Sequence, residues 1–192
     1  RRTFLASGAA AAGGLMIGIQ FVQAEEGEKV LPWPHASATD FQPNAFLQVT
    51  PDSRVILQIH KQEMGQGIMT GLTTIVAEEL YMSPESIVRE FSGVHKDFNN
   101  PMFNLMLTNA SSSIITCYKP VREAATSVRM LLLQSAAKQL KVSVRELRCD
   151  QTVIYHDASG RKLEFGALVD LAKTLAMPEK LEFTPANDYC YV

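Results

Sequence analysis

Gln62-Glu63-Met64-Gly65-Gln66-Gly67 decides how this chain is read, because it joins the strand-like run Val55 to His60 to the helix-like run Ile68 to Leu80. A strand that turns through two glycines directly into a helix gathers backbone N–H groups and the positive end of the helix dipole. An anionic or hydrogen-bonding ligand can sit at such a point. Gly65 and Gly67 have no side chain to hold a flat ligand off the backbone, and the Gln66 amide offers both donors and an acceptor. On physical grounds alone the same residues also describe a glycine-softened turn with a solvated Gln.

Upstream, Phe46 to Val49 and Val55 to Ile59 flank Thr50-Pro51-Asp52-Ser53, which predicts a hairpin whose second strand delivers the chain to Met64. Downstream, Ile68, Leu72, Ile75, Val76 and Leu80 share one helical face, and Glu78-Glu79 are expected away from most of it. Ser86 to Phe91 reads as a short strand. Ser92 to Leu107 reads as a long ordered loop, with Phe98, Met102, Phe103, Leu105 and Met106 to bury. A helix is expected over Ile115 to Leu140, with Thr108-Asn109-Ala110-Ser111-Ser112-Ser113 presenting hydroxyls and N–H groups at its start, although serines there also serve as ordinary caps. After a helical turn from Lys141, the pattern predicts a hairpin of Arg148 to His156 and Arg161 to Glu164. A last amphipathic helix, Phe165 to Ala176, and an apolar strand from Tyr189 to Val192 follow. The sum is an α+β fold of short mixed and antiparallel strands with packed helices.

The charge balance excludes one large class of partner. With 18 Lys and Arg against 20 Asp and Glu, a net charge of −2 gives no basic footprint for nucleic acid. Cys117, Cys149 and Cys190 are odd in number without a Cys-x-x-Cys pair, so no iron–sulfur cluster is expected in this chain; a disulfide between two of them is left open. His35, His60, His95 and His156 lack ligand spacing, and no metal ligand is assigned. Arg1-Arg2-Thr3-Phe4-Leu5, then a charge-free run to Val22-Gln23-Ala24, has the form of a twin-arginine export signal or anchor over residues 1–24, which implies a periplasmic protein, in one form anchored to the inner membrane. Residues 25–43, with Leu31-Pro32-Trp33-Pro34, read as a linker, and 44–192 as part of a larger domain. Arg1 in place of Met and the apolar last residues give both ends the look of a cut.

Glu63-Met64-Gly65-Gln66-Gly67, followed by Asn99-Asn100-Pro101-Met102-Phe103 and Thr108 to Ser113, resembles the xanthine oxidase family of molybdenum hydroxylases. The likeness is to the molybdopterin-binding large subunits of bacterial membrane-bound aldehyde dehydrogenase and isoquinoline 1-oxidoreductase, and covers about Asn44 to Val192. Two glycines are usual in that branch where this chain has Asn109-Ala110. The resemblance implies that Met64, Gly65, Gln66, Gly67, Thr108, Asn109, Ala110, Ser111, Ser112 and Ser113 bind molybdopterin cytosine dinucleotide. It also implies oxidation of aldehydes to carboxylic acids or hydroxylation of N-heterocycles, with electrons leaving through a 2Fe-2S small subunit and then a cytochrome c carrying haem c. It assigns no catalytic residue here: the family's glutamate base is expected after Val192, in the remainder of the large subunit, so residues 1–192 alone are expected to be inactive. Glu63, the nearest candidate, is expected to pair with a neighbour or to orient the turn rather than to act as the base. The rival reading is a noncatalytic exported binding or assembly domain with a purely structural glycine turn.

Overall fold

The computed structural model describes residues 43–191; the predicted export segment 1–24 and nearly all of the linker lie outside the described residues. Two three-stranded sheets and two long helices share one core. Strand β1 (Leu47–Val49) pairs antiparallel with β2 (Val55–Ile59), and β3 (Ile87–Phe91) pairs parallel with the other edge of β2. Helix α1 (Ile68–Leu80) is the crossover between those parallel strands, so β2, α1 and β3 make a βαβ unit. Every residue of β2 is buried, as its Val, Ile and Leu side chains require of a central strand, and Gln58 is buried with them, its Nε2 donating to Glu90 at 3.4 Å.

Helix α2 (Ser113–Leu140) packs against α1, and Val121, Ala125, Val128, Leu132 and Ala136 join Leu72, Val76 and Leu80 in the core. The second sheet is an antiparallel meander of β4 (Arg148–Asp150), β5 (Val153–His156) and β6 (Arg161–Glu164), which adds Ile154 to the same core. The α+β class and the hairpin at Thr50 to Ser53 stand as expected, and the α1 bounds coincide with the predicted ones.

Five readings change. Of the loop side chains expected to be buried, Phe98 is 1% exposed, while Met102, Phe103 and Leu105 stand 67%, 43% and 50% exposed. Arg148 to His156 is two strands, parted at Gln151, whose left-handed φ of 54° turns the chain. The predicted helix over 165–176 is a 3-10 turn (Phe165–Leu168) and the single turn α3 (Val169–Ala172). There Gly166 lies so close to the β1–β2 turn that a Cβ would stand 2.0 Å from the Pro51 carbonyl oxygen, and its N–H donates to Ser53 Oγ at 2.9 Å. The chain before Tyr191 forms no strand; a 3-10 turn at Ala186–Asp188 leads into irregular backbone. Glu78 and Glu79, expected away from the core, are buried.

Those two carboxylates are fully occupied. Glu79 accepts from Arg122 Nε at 2.6 Å, Thr126 Oγ1 at 2.9 Å, the Thr184 N–H at 3.0 Å and Arg129 at 3.4 Å. Glu78 accepts the N–H groups of Cys190 at 2.8 Å and Tyr191 at 2.6 Å. A buried charge survives only when paired and hydrogen-bonded, and here the pairing straps the end of the chain to α1 and α2. The three cysteines are free thiols.

Candidate functional site

Past Ile59 the chain leaves the sheet and bends through Lys61 to Gly67. Gly65 has φ 89° and Gly67, which starts α1, has φ 79°; both are left-handed, a conformation that glycine adopts without a Cβ clash. The Glu63 carboxylate fills the inside of this bend. Its Oε1 accepts the N–H groups of Gly65 at 2.9 Å and Gly67 at 3.0 Å, and its Oε2 accepts that of Met69 at 3.0 Å. These bonds, Met69's first, hold the Glu63 carboxyl below its ordinary range. The anion at the start of α1 is therefore the chain's own, which corrects the expectation that a ligand takes that place. Gln66 also folds inward: its Oε1 accepts the Met64 N–H at 2.6 Å and its Nε2 donates to the Gln62 carbonyl at 2.8 Å. One N–H of the Gln66 amide is left over for another partner.

The second stretch is held as firmly. Asn100, 1% exposed, donates from Nδ2 to Ser112 Oγ at 3.1 Å and accepts the Met102 N–H at 2.9 Å, and its backbone pairs with Leu105. Ser112 Oγ in turn donates to the Asn109 carbonyl at 2.9 Å. No serine side chain caps α2, so the capping role weighed for them is not the one they take. Ala110 and Ser111 stand consecutively in the left-handed region, at φ 49° and 52°, where a Cβ is disfavoured. The buried Asn100–Ser112–Asn109 network is what holds them there.

The two stretches meet. Gln62 N–H donates to Thr108 Oγ1 at 2.8 Å, and Lys61 Nζ donates to the Leu107 carbonyl at 3.0 Å. Between them lies a cleft of about 390 Å³, bordered by Met64, Gln66, Gly67 and Ile68 on one side and by Thr108, Asn109, Ala110, Ser111, Ser113 and Ile114 on the other. Of the residues predicted for the site, Gly65 and Ser112 are not on this lining: Gly65 shapes the turn and Ser112 is buried in the network behind it. Sequence reading missed Ile68 and Ile114 as walls and Asn100 as the support. An Asn directly before Pro101 in a long loop was the available sign, since Asn side chains bond nearby backbone. Gly71 lets the helices close beneath the cleft, since a Cβ there would meet Ile114 Cδ1 at 2.9 Å.

Two backbone turns facing each other across an open, mostly apolar cleft define a cofactor-binding module of α+β class. The chain belongs to the molybdopterin cofactor-binding domain family, whose model matches residues 7–190. It is 29% identical over 98% of its length to the isoquinoline 1-oxidoreductase beta subunit of Brevundimonas diminuta, covering 25% of that protein. It is 25% identical over 88% of its length to the membrane-bound aldehyde dehydrogenase [pyrroloquinoline-quinone] of Gluconacetobacter polyoxogenes, covering 21% of it. The chain thus spans about a quarter or less of the curated relatives it matches. Among solved structures, quinoline 2-oxidoreductase from Pseudomonas putida 86 aligns over 72% of the chain and 17% of its own, at 17% identity and a TM-score of 0.49.

Proposed function

We propose that the cleft between residues 62–67 and 108–113 holds molybdopterin, in its cytosine dinucleotide form, within the large subunit of a molybdenum hydroxylase acting on aldehydes or N-heterocycles. The meeting of the two predicted stretches across one cleft carries this reading, together with membership of the molybdopterin-binding family. The residues present fit such a group. A Cβ at Gly65 or Gly67 would meet nothing within 4 Å, so the turn offers bare backbone to open space. Gly67, the spare N–H of Gln66, Thr108, Asn109, Ala110 and the hydroxyls of Ser111 and Ser113 would hold the cofactor, with Met64 as an apolar lip; Gly65 and Ser112 would fix the two turns. Bound there, the molybdenum group supplies two-electron oxidation with transfer of oxygen to carbon.

The chain's own part is to bind and orient. Glu63 spends both oxygens on backbone N–H groups and its lowered pKa makes it a poor proton acceptor, and no carboxylate lines the cleft among the described residues. The base and substrate pocket would come from the remainder of the large subunit. Electrons would pass to a 2Fe-2S small subunit and on to a cytochrome c with haem c. Residues 1–24 would direct twin-arginine export to the periplasm, and replacing Arg1 and Arg2 by Lys would then retain the protein in the cytoplasm.

Metal and pterin analysis of the native protein tests the central claim. Molybdenum with a pterin that releases a cytidine nucleotide on hydrolysis is expected. A protein with neither would leave the noncatalytic binding domain as the reading, and recovered pyrroloquinoline quinone would move the cofactor to the class named for the aldehyde dehydrogenase relative.

A further inference from the structure

A second cavity, of about 540 Å³, takes its walls from residues just before β1, just after β2, in the loop that follows β3 and in the first turns of α2. One wall is aromatic: Phe46, His60 and Phe98 pack on one another with ring centroids 5.2 to 5.6 Å apart. Met102 and Ile115 also line it, and they stand 67% and 77% exposed. Pro120 adds an apolar ring and, having no N–H, leaves the Thr116 carbonyl of the lining without its helical donor. The charged groups are of both signs. Lys61 is 2% exposed; its ammonium donates to the Leu107 carbonyl at 3.0 Å, and among the described residues no carboxylate stands within ion-pair distance of it. The Asp97 carboxylate is about half exposed.

That lining suits neither a simple anion nor a simple cation. It suits a flat apolar ring with one N–H: a face for the aromatic wall, for Pro120 and for the Lys61 ammonium, which is drawn to a π face, and a donor for Asp97 or for the Thr116 carbonyl. Indole has that combination, a broad face and a single donor with no acceptor. Trp33 is the one tryptophan of the chain and stands in Leu31-Pro32-Trp33-Pro34. The described residues begin next to the cavity, because Asn44 lines a groove of about 420 Å³ that shares Phe46 and Pro120 with it. Trp33 precedes Asn44 by eleven residues, a stretch that spans up to about 36 Å when extended, so the cavity is within reach. Prolines on both sides of Trp33 favour the extended form in which proline-bearing segments meet aromatic grooves at low ordering cost.

We propose that this cavity is the seat of Trp33, with the indole against Phe46 and Phe98, its face towards Lys61, and Pro32 and Pro34 crossing the rim at Met102 and Ile115. The proposal stands apart from the cofactor assigned to the cleft. Its walls lie between residues 46 and 120 and meet only once β1, β2 and α2 have assembled, so the segment is strapped down by the folded domain and by no earlier state.

The single tryptophan is its own probe. In the 192-residue chain Trp33 emission is expected to be blue-shifted from that of N-acetyltryptophanamide and its acrylamide quenching to fall several-fold, since ring packing and the cation–π contact together favour the seated form by about tenfold. Met102→Asp and Ile115→Asp, both at exposed lining residues, should each return the two readings towards those of the free amide. Val144→Asp, at an exposed apolar residue of the 3-10 turn Val144–Glu146, should not. A Trp33 that emits and quenches like the free amide in the unaltered chain overturns the proposal. So does a shielded Trp33 indifferent to both cavity changes, because it is seated elsewhere. Shielding that is lost on dilution, as dimer gives way to monomer, makes the occupant Trp33 of a second copy and overturns docking within one chain. If the Asp variants do not fold, Trp33→Leu followed by NMR decides: the ring protons of Phe98 and His60 must shift while those of Tyr155 in the second sheet stay, and unmoved Phe98 and His60 resonances count against the seat.

Discussion

The two ends of α1 hold acidic side chains in opposite ways. At its start, Glu63 binds N–H groups two, four and six residues away, on a turn whose outer face is exposed. At its end, the buried Glu79 gathers partners 43 to 105 residues away, and Glu78 reaches 112 and 113 residues along the chain. The local cluster shapes a surface, whereas the long-range cluster closes the fold. A turn built from short-range bonds can be remodelled without loosening the domain, because its energy is not shared with the core. The comparison predicts that damage at the end of α1 reads as lost stability and damage at its start as lost local order.

The largest effect is expected from Glu79→Ala, which leaves Arg122 and Arg129 partly buried beside an empty carboxylate site. Breaking a buried pair from one side costs about 3–5 kcal/mol. Denaturant unfolding should show that loss, and a change under about 1 kcal/mol would mean that the network is not what closes the fold.

Next comes acid, acting through the buried His60. Its folded-state pKa of about 4 lies below the ordinary value of 6.5, so the unfolded chain takes up the proton first. The resulting stability is fully present above pH 6.5 and is lost as pH falls from there towards 4, by a total on the order of 3 kcal/mol. His60→Phe should flatten that part of the profile; an unchanged slope would place the acid sensitivity elsewhere.

How much of this was legible depended on the range of the interaction. The order of β2, α1 and β3 and the glycine turn between the first two were readable because periodicity and glycine placement are local signals: Gly65 and Gly67 are left-handed, as a strand-to-helix turn asks. The parallel pairing of β2 with β3 was not. Glu79 shows where that reading fails. It stands three residues after Val76 and seven after Leu72, on the apolar face by period, yet its charge argued for solvent. Nothing local announces that Arg122, Thr126, Arg129 and Thr184 converge there. Gln66 differs: its residue type was read as ligand-facing, and it does line the cleft, but its geometry spends all of the amide except one N–H on Met64 and Gln62. Residue type states what a side chain can bond to, and only the fold states what is within reach.

A smaller effect is expected at the start of α1. Glu63→Gln keeps the shape but removes the charge that three N–H groups share. The amides of Gly65, Gly67 and Met69 should exchange faster with solvent while the unfolding midpoint hardly moves. In the unaltered chain the carboxylate's contribution is present above the ordinary Glu range and disappears as pH falls through its lowered pKa, so the Gly65 and Gly67 amide shifts should titrate there. They should not titrate in Glu63→Gln. A large global loss would erase the contrast between the two ends.

The smallest effect separates strain from packing on the far wall of the cleft. Ala110 and Ser111 hold left-handed φ values of 49° and 52° with a Cβ on each. A non-glycine residue in that region costs roughly 1–2 kcal/mol. Glycine removes that cost but also frees the unfolded chain, which takes back about 0.4–1 kcal/mol. Ala110→Gly should therefore stabilise the domain slightly, by at most about 1 kcal/mol, and the double change with Ser111→Gly should add to it if each residue carries its own strain. The Asn100–Ser112–Asn109 bonds hold the turn in both cases, so the Asn109 and Ser113 amide shifts should stay near their positions. If Ala110→Gly destabilises instead, the turn is held by the restricted backbone of Ala rather than by the buried network. The cleft would then lose its shape together with the methyl group, and its two walls would no longer be equivalent: one would be set by hydrogen bonds to Glu63, the other by a side chain too small to hydrogen-bond at all.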